Sequence, residues 1–241
     1  MLSRVVEIGK SAANQHKDTI LCVATDDERI ADHCSEIKVP YYMTSPSCPT
    51  GSDRVLEAAR LAEDDHGTEF DFIFSLQGDA PFTPIDAIDQ MLAKANEDPS
   101  AEVITPVVAL RWEELDELRK SKNSTPFSGT TAIINEKHKA LWFSKNIIPA
   151  IRKEESLREN EFSPVYQHLG LYGYRRDILQ RFVKLPQGHY EQLEGLEQLR
   201  LLENGISIDT VILNVNAGLA QAGVDSPEDI ERAEKLISKY G

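Results

Sequence analysis

Apolar positions fall into short runs and helix-spaced sets that alternate along the first half of the chain. Leu2, Val5, Val6 and Ile8 lie close to helical spacing within residues 1–13, and the run Thr19-Ile20-Leu21-Cys22-Val23-Ala24 reads as a buried strand. A second helix is predicted from Asp27-Glu28-Arg29-Ile30-Ala31, and a short strand over 39–43. Thr50-Gly51-Ser52-Asp53-Arg54 opens a helix with apolar residues at Val55, Leu56, Ala59 and Leu61, which leads to an apolar run over 70–76. A helix over 85–95, a strand over 103–110 and a short helix over 113–118 continue the alternation. Such a pattern predicts an α/β fold, a mostly parallel sheet with helices on both faces.

Past residue 120 the pattern changes. Residues 130–134, 140–143 and 168–174 are strand-like with no long helix between them, and 152–160 reads as a charged, mobile linker. The expected organisation is one domain over 1–241 with a subdomain or dimerisation region at about 125–190. A helix over 190–204, ended by Gly205, carries Leu193, Leu196, Leu199 and Leu202 as its buried stripe. A strand follows over 208–215, and Ser226-Pro227-Glu228-Asp229 starts a C-terminal helix with Pro in its first turn.

With 241 residues, the chain can bury roughly 70 to 75% of its unfolded surface without a disulfide or metal. Its three cysteines, Cys22, Cys34 and Cys48, lack metal-site spacing and fit structural thiols in a reducing compartment. A formal net charge of -14 repels nucleic-acid backbones and anionic membranes, which argues against either as a partner. Small anions remain possible substrates, because local cations and helix N-termini act at short range. No stretch is long and apolar enough to span a bilayer, and the N-terminal residues lack a signal-peptide pattern, so a soluble, cytoplasmic protein is expected.

The most informative stretch is Gln77-Gly78-Asp79 with Pro81, at the end of the apolar run over 70–76. Open α/β sheets bind ligands at such strand ends. A carboxylate there can hold Mg²⁺ against a nucleotide's phosphates, since Mg²⁺ prefers one or two carboxylates plus phosphate oxygens and water; equally, Asp79 can cap the next helix or close a turn. Asp225 is a possible second carboxylate, or an ordinary helix start before Pro227. Arg54 and the Thr-Gly-Ser stretch at a helix N-terminus suit an anion or a base carbonyl, or Arg54 pairs with Asp53 or Glu57. Period-two alternation puts His168, Gly170, Tyr172 and Tyr174 on one strand face, polar at its tips and suited to a hydroxylated ligand. Glu197 and Gln198 flank the leucine stripe and can face a ligand or solvent.

Taken in order, Thr50-Gly51-Ser52-Asp53-Arg54, Leu76-Gln77-Gly78-Asp79-Ala80-Pro81, the segment 168–174 (HLGLYGY), the segment 193–200 (LEGLEQLR) and the segment 223–229 (GVDSPED) resemble the cytidylyltransferases that activate 3-deoxy-manno-octulosonate (Kdo), the CMP-Kdo synthetases. Ala24-Thr25-Asp26-Asp27 and Ala140-Leu141-Trp142-Phe143-Ser144-Lys145 fit as well, so the resemblance spans nearly the whole chain. It implies a Rossmann-like nucleotidyltransferase fold and a cytoplasmic homodimer that joins CTP to the 3-deoxy sugar acid Kdo for lipopolysaccharide synthesis. It also implies Mg²⁺ on Asp79 and Asp225, nucleotide contacts from Ser52 and Arg54, and Gln77, His168, Tyr172, Glu197 and Gln198 around the sugar acid. An 8-amino-Kdo or sialic acid cytidylyltransferase is the alternative enzyme.

Two departures stand out. The first motif reads Thr-Gly-Ser where the family usually has Ser-Gly-Thr, which keeps the hydroxyls. The family's first strand and its Pro-Ala-Arg and Pro-Gly-Lys segments, whose Arg and Lys hold the triphosphate, have no counterpart, and Met1-Leu2-Ser3-Arg4-Val5 resembles the helix beyond them. Two charged donors at roughly 1.5 to 3 kcal/mol each correspond to about 10² to 10⁴ in rate. The expectation is a truncated form of an active enzyme. The competing expectation is a non-catalytic protein that binds a sugar acid or pairs with a full-length homologue.

Overall fold

The computed structural model describes residues 1–215; the predicted C-terminal helix and Asp225 lie outside the described residues. Helix α1 (Leu2–Gln15) is followed by β1 (Val23–Thr25), α2 (Glu28–Glu36), β2 (Tyr41–Met43), α3 (Gly51–His66), β3 (Phe72–Ser75), α4 (Ile85–Glu97), β4 (Val103–Arg111) and α5 (Trp112–Ser121). Next come β5 (Thr130–Ile134), β6 (Ala140–Ser144), α6 (Glu154–Leu157), β7 (Phe162–His168), β8 (Tyr172–Arg175), α7 (Arg176–Phe182), α8 (His189–Glu194), α9 (Gln198–Glu203) and β9 (Ile208–Leu213). Local chemistry sets the helix ends. The Asp27 side chain accepts the Arg29 N–H at the start of α2, the Thr50 hydroxyl accepts the Asp53 N–H at the start of α3, and Gly67 closes α3 in the left-handed region at φ 65°.

The sheet is not mostly parallel. Strands β1 and β2 form a parallel pair of their own, and the other strands form a seven-stranded sheet in the order β3-β8-β4-β7-β5-β6, with β9 parallel to β4. Every other pairing in that larger sheet is antiparallel. The helix-strand alternation of the first half predicted parallel neighbours, but β7 and β8 enter the sheet beside β4 and run against it. This is a long-range choice that local periodicity does not encode.

Strand β4 is the spine. Val103 and Val107 face a core built with α3, α7 and α9, while Ile104, Val108 and Leu110 face a core built with α1, α4 and α5, so helices do cover both faces. All five side chains are fully buried. One edge of β4 carries β9; the other carries β8 at Val103 and Ile104 and β7 from Val107 to Arg111. On their far edges β8 pairs with β3 and β7 with β5, so the sheet forks at residues 169–171. Within β8, Gly173 lies under the Phe74 ring, which leaves no room for a Cβ there.

Further expectations need correction. The predicted single strand over 168–174 is two strands interrupted at the fork. The predicted helix over 190–204 is α8 and α9, separated at Gly195 with φ 63°. Consequently Leu193 is exposed rather than part of a buried stripe, whereas Leu196 and Leu199 are buried. The segment 152–160 is anchored rather than mobile. It contains α6, Arg119 and Arg158 both bond Glu154, Arg158 also bonds Asp116, and the Arg158 guanidinium lies over the Trp112 ring.

Phe182 joins α7 to the site side of the molecule: it is fully buried, stacks on Tyr174 at 5.8 Å and lies under the Arg200 guanidinium at 4.9 Å. Phe182→Ala is expected to cost about 3 to 5 kcal/mol, measured as a fall in the urea midpoint at unchanged slope.

Candidate active site

The fork brings together segments far apart in sequence. Thr105 of β4 stitches it: its hydroxyl donates to the Leu171 carbonyl at 2.7 Å and bonds His168 Nε2 at 3.0 Å. With the single hydroxyl proton committed to Leu171, the imidazole donates, which sets the Nε2–H tautomer of His168. His168 is buried, packs its ring edge on Phe143 at 4.9 Å and lies 5.4 Å from the Tyr172 ring. Tyr172 in turn stacks with Tyr174 at 5.8 Å. The two strands thus keep the aromatic row that alternation predicted, although His168 and Tyr172 belong to different strands.

Register places the Gln77 turn beside this row. Ser75 pairs with Tyr172, so two residues further along each strand Gln77 comes beside Gly170, where a Cβ would lie 4.0 Å from Gln77 Oε1. Gln77 is exposed and Asp79 half-buried in a turn closed by the Ala80 N–H to the Gln77 carbonyl. The Asp79 carboxylate has no hydrogen bond or salt bridge among the described residues. It neither caps α4, whose N-cap is Pro84, nor pairs with a neighbour among the described residues.

At the other end of the row, Ser52 in the first turn of α3 donates to Glu197 Oε2 at 3.3 Å. Glu197 precedes α9, and its Oε1 is buried without a hydrogen-bond partner, the nearest cation being Arg200 at 3.7 Å. Arg200 itself is held by a bidentate, buried pair with Glu191. Gln198, also in α9, is buried rather than presented on the surface. A cavity of about 560 Å³ opens here, lined by Thr50, Glu191, Glu197 and Arg200 among others.

Arg54 does not pair with Asp53 or Glu57. It donates to Thr44 at 2.7 Å and Asp26 at 2.8 Å, bracing α3 against the loops that follow β1 and β2. The same bond to Arg54 holds the Asp26 carboxyl below its ordinary range. Elsewhere burial dominates. It raises the Tyr172 and Tyr174 hydroxyls and the Glu197 carboxyl, and lowers His168 to about 3, with the Lys145 charge acting in the same direction. The wall between Thr105 and Ser52 is therefore neutral, rich in hydroxyl and ring groups, with charge only at its ends.

Residue-level reading of the sequence missed Lys145 and Glu194. Lys145 follows β6, is half-buried, and carries an ammonium lowered by burial and opposed by Glu194. The signal available was its place at the end of Ala140-Leu141-Trp142-Phe143-Ser144-Lys145. Of the sequence-predicted residues, the structure gathers Gln77, His168, Tyr172, Ser52 and Glu197 along one row. Arg54 stands to one side, and Asp225 is not among the described residues.

The family model described as cytidylyltransferase matches residues 1–208. The chain belongs to the cytidylyltransferase family. It is 40% identical, over all 241 residues and 88% of the relative's length, to a protein named 3-deoxy-manno-octulosonate cytidylyltransferase from Maricaulis maris. It is 32% identical to one of the same name from Elusimicrobium minutum, over 97% of the chain and 87% of that protein. Among solved structures, a CMP:2-keto-3-deoxy-manno-octonic acid synthetase complexed with CTP superposes with a TM-score of 0.77 at 29% identity, over 98% of this chain and 88% of the other. A nucleotidyl transferase from Methanothermobacter, at 13% identity and a TM-score of 0.54, shares the fold. Membership of this family makes the chain a nucleotidyltransferase on the α/β fold of that group.

His168 gives a pH test of the site's interior. Unfolded chains take up the imidazole proton near 6.5, whereas the folded chain resists until about 3, so this group's stabilisation is fully present above 6.5 and is lost as pH falls toward 3. His168→Gln should therefore lose about 2 kcal/mol less stability than the parent between pH 7 and pH 5, read from urea unfolding at both values.

Proposed function

We propose that this chain transfers the cytidylyl group of CTP to the anomeric hydroxyl of Kdo, forming CMP-Kdo and releasing pyrophosphate. The observation that carries the reading is the convergence of the Thr-Gly-Ser, Gln-Gly-Asp, His168–Tyr172 and Glu197 segments on one fork, in a chain 40% identical end to end to a named Kdo cytidylyltransferase.

Phosphoryl-transfer catalysis consists mostly of positioning and charge stabilisation, with the attacking hydroxyl in line with the leaving pyrophosphate. In this reading Ser52 and the start of α3 receive the nucleotide, and Arg54 supports it by holding the surrounding loops together. The neutral row of Gln77, His168 and Tyr172 offers hydrogen bonds to the sugar's hydroxyls without competing charge. Glu197 supplies a buried acceptor that still lacks a donor. Lys145 supplies a cation for the sugar's carboxylate.

The donor set suits a hard divalent cation at the Gln77–Asp79 turn. Asp79 is an oxygen ligand with no partner among the described residues, on a turn where substrate phosphates and water can complete the shell. Asp79 and Asp225 would hold Mg²⁺ there; when bound, it offsets charge on the attacking and leaving oxygens. The family resemblance further supports a cytoplasmic homodimer, with the section around 125–190 at its interface, serving lipopolysaccharide synthesis.

Pyrophosphate release with CTP and Mg²⁺ should be greatest with Kdo and lower with 8-amino-Kdo or a sialic acid. Release with none of the three, together with retained sugar-acid binding, would establish a non-catalytic binding protein instead. Asp79→Asn should lower kcat at least about 100-fold, a loss of roughly 2.7 kcal/mol in the transition state, with a melting temperature close to that of the parent. Near-normal turnover in this variant would remove Asp79 from the metal site.

A further inference from the structure

Lys122 follows the last turn of α5, and its ammonium is surrounded by main-chain carbonyls. It donates to Ser128 at 2.6 Å, to Lys145 at 2.6 Å, to Gly129 at 3.2 Å and to Pro126 at 3.4 Å. An ammonium has three protons, so these acceptors share them. Three belong to the loop leading into β5, where Gly129 adopts φ 65°; the fourth is the first residue after β6. One side chain thus ties the start of β5 to the end of β6, at the place where Thr131 pairs with Ser144.

The main chain of Lys145 is held from the opposite side too. Its N–H donates to Glu194 at 2.8 Å, and the same carboxylate accepts the Ser144 hydroxyl at 2.8 Å. Just beyond, the Thr131 hydroxyl donates to the Asn146 carbonyl at 2.7 Å and accepts the Ile148 N–H at 3.1 Å. The backbone around Lys145 is therefore fixed at both its polar groups. Its side chain, by contrast, makes no hydrogen bond or salt bridge among the described residues, although it is half-buried. The opposite charge that acts on it is Glu194, whose two oxygens are taken by the Ser144 hydroxyl and the Lys145 N–H, so the ammonium keeps its donors for an anionic ligand.

We propose that Lys122 is a positioning residue for sugar-acid binding: by gripping the Lys145 carbonyl together with the β5 loop, it aims the Lys145 ammonium at the fork to receive the substrate's carboxylate. The inference rests on the reading of the fork as the Kdo site. Removing the Lys122 charge leaves converging carbonyl dipoles with no donor between them, and the loop and the Lys145 backbone separate to reach water. Arginine does not replace it, because a planar fork does not fill a compact cage of carbonyls.

The test uses the full chain as wild type, Lys122→Met, Lys145→Met and the double variant. Kdo and CTP binding are measured separately by calorimetry, and amide hydrogen exchange is followed by mass spectrometry. In Lys122→Met, amides 144–148 should exchange at least about tenfold faster, with β4 and β9 unchanged. Kdo affinity should fall about tenfold or more while CTP affinity stays within about twofold. The double variant should bind Kdo no more weakly than Lys145→Met alone, since one effect acts through the other. If Lys122→Met does not fold, Lys122→Gln, which keeps a shorter donor, carries the same expectations.

Unchanged Kdo affinity in the Lys122 variant, with loss in Lys145→Met, would overturn the positioning role and leave the site reading intact. Full Kdo affinity in Lys145→Met would overturn the proposal at its premise. Equal loss of CTP and Kdo binding, with exchange rising throughout, would make Lys122 a fold-stabilising residue only. Absence of Kdo binding by the wild type would overturn the site reading and this proposal with it.

Discussion

A single hydroxyl at the branch point of the sheet carries much of the site's organisation. The edge of β4 is shared by β7 and β8, and between them the chain must leave the ladder for residues 169–171. Backbone groups released from a buried ladder need partners. Thr105 gives one to the Leu171 carbonyl and one to His168, while the Leu169 N–H finds the Pro106 carbonyl. The same few bonds set the tautomer of His168 and the direction of β8. They also set where β3 ends, and so where the Gln77–Asp79 turn emerges.

The electrostatic character of the site follows from that geometry. On the proposed function, a protein of net charge -14 that handles a triphosphate and a sugar acid gains little from adding carboxylates beside them. The fork is lined with groups that burial keeps uncharged, namely His168, Tyr172 and Tyr174. Its cations are individually restrained. Arg54 is tied to Asp26, Arg200 to Glu191, and Lys145 by its backbone rather than by its ammonium. Restraint of this kind lowers the ordering cost of binding.

Much of the fold was legible wherever local chemistry decides. The helix starts at Asp27 and Thr50, the strand over 103–110 and the Gln77 turn as a strand end were all visible. Strand direction was not legible, because β5 to β8 choose their partners across long sequence separations. The break at Gly195 was foreshadowed by a glycine inside a helical pattern, yet the leucine spacing masked it. Of the candidate site, Ser52, Gln77, His168, Tyr172 and Glu197 were named from their motifs, and the fold brings those segments together. Lys122 escaped because its role depends on where main-chain carbonyls converge, a property that belongs to the folded loop and not to any residue type.

Gly173 and Phe74 show how this packing constrains change. The ring lies across the glycine at a distance no Cβ tolerates, and the ring is itself packed against the core shared with Phe72 and Leu76. A side chain at 173 would have to displace Phe74, and a displaced Phe74 would disturb the register of β3 with β8. The two positions therefore form one unit of heredity: a side chain at 173 is closed unless Phe74 first gives way to a smaller residue, and the turn that presents Asp79 is held in place by that lock.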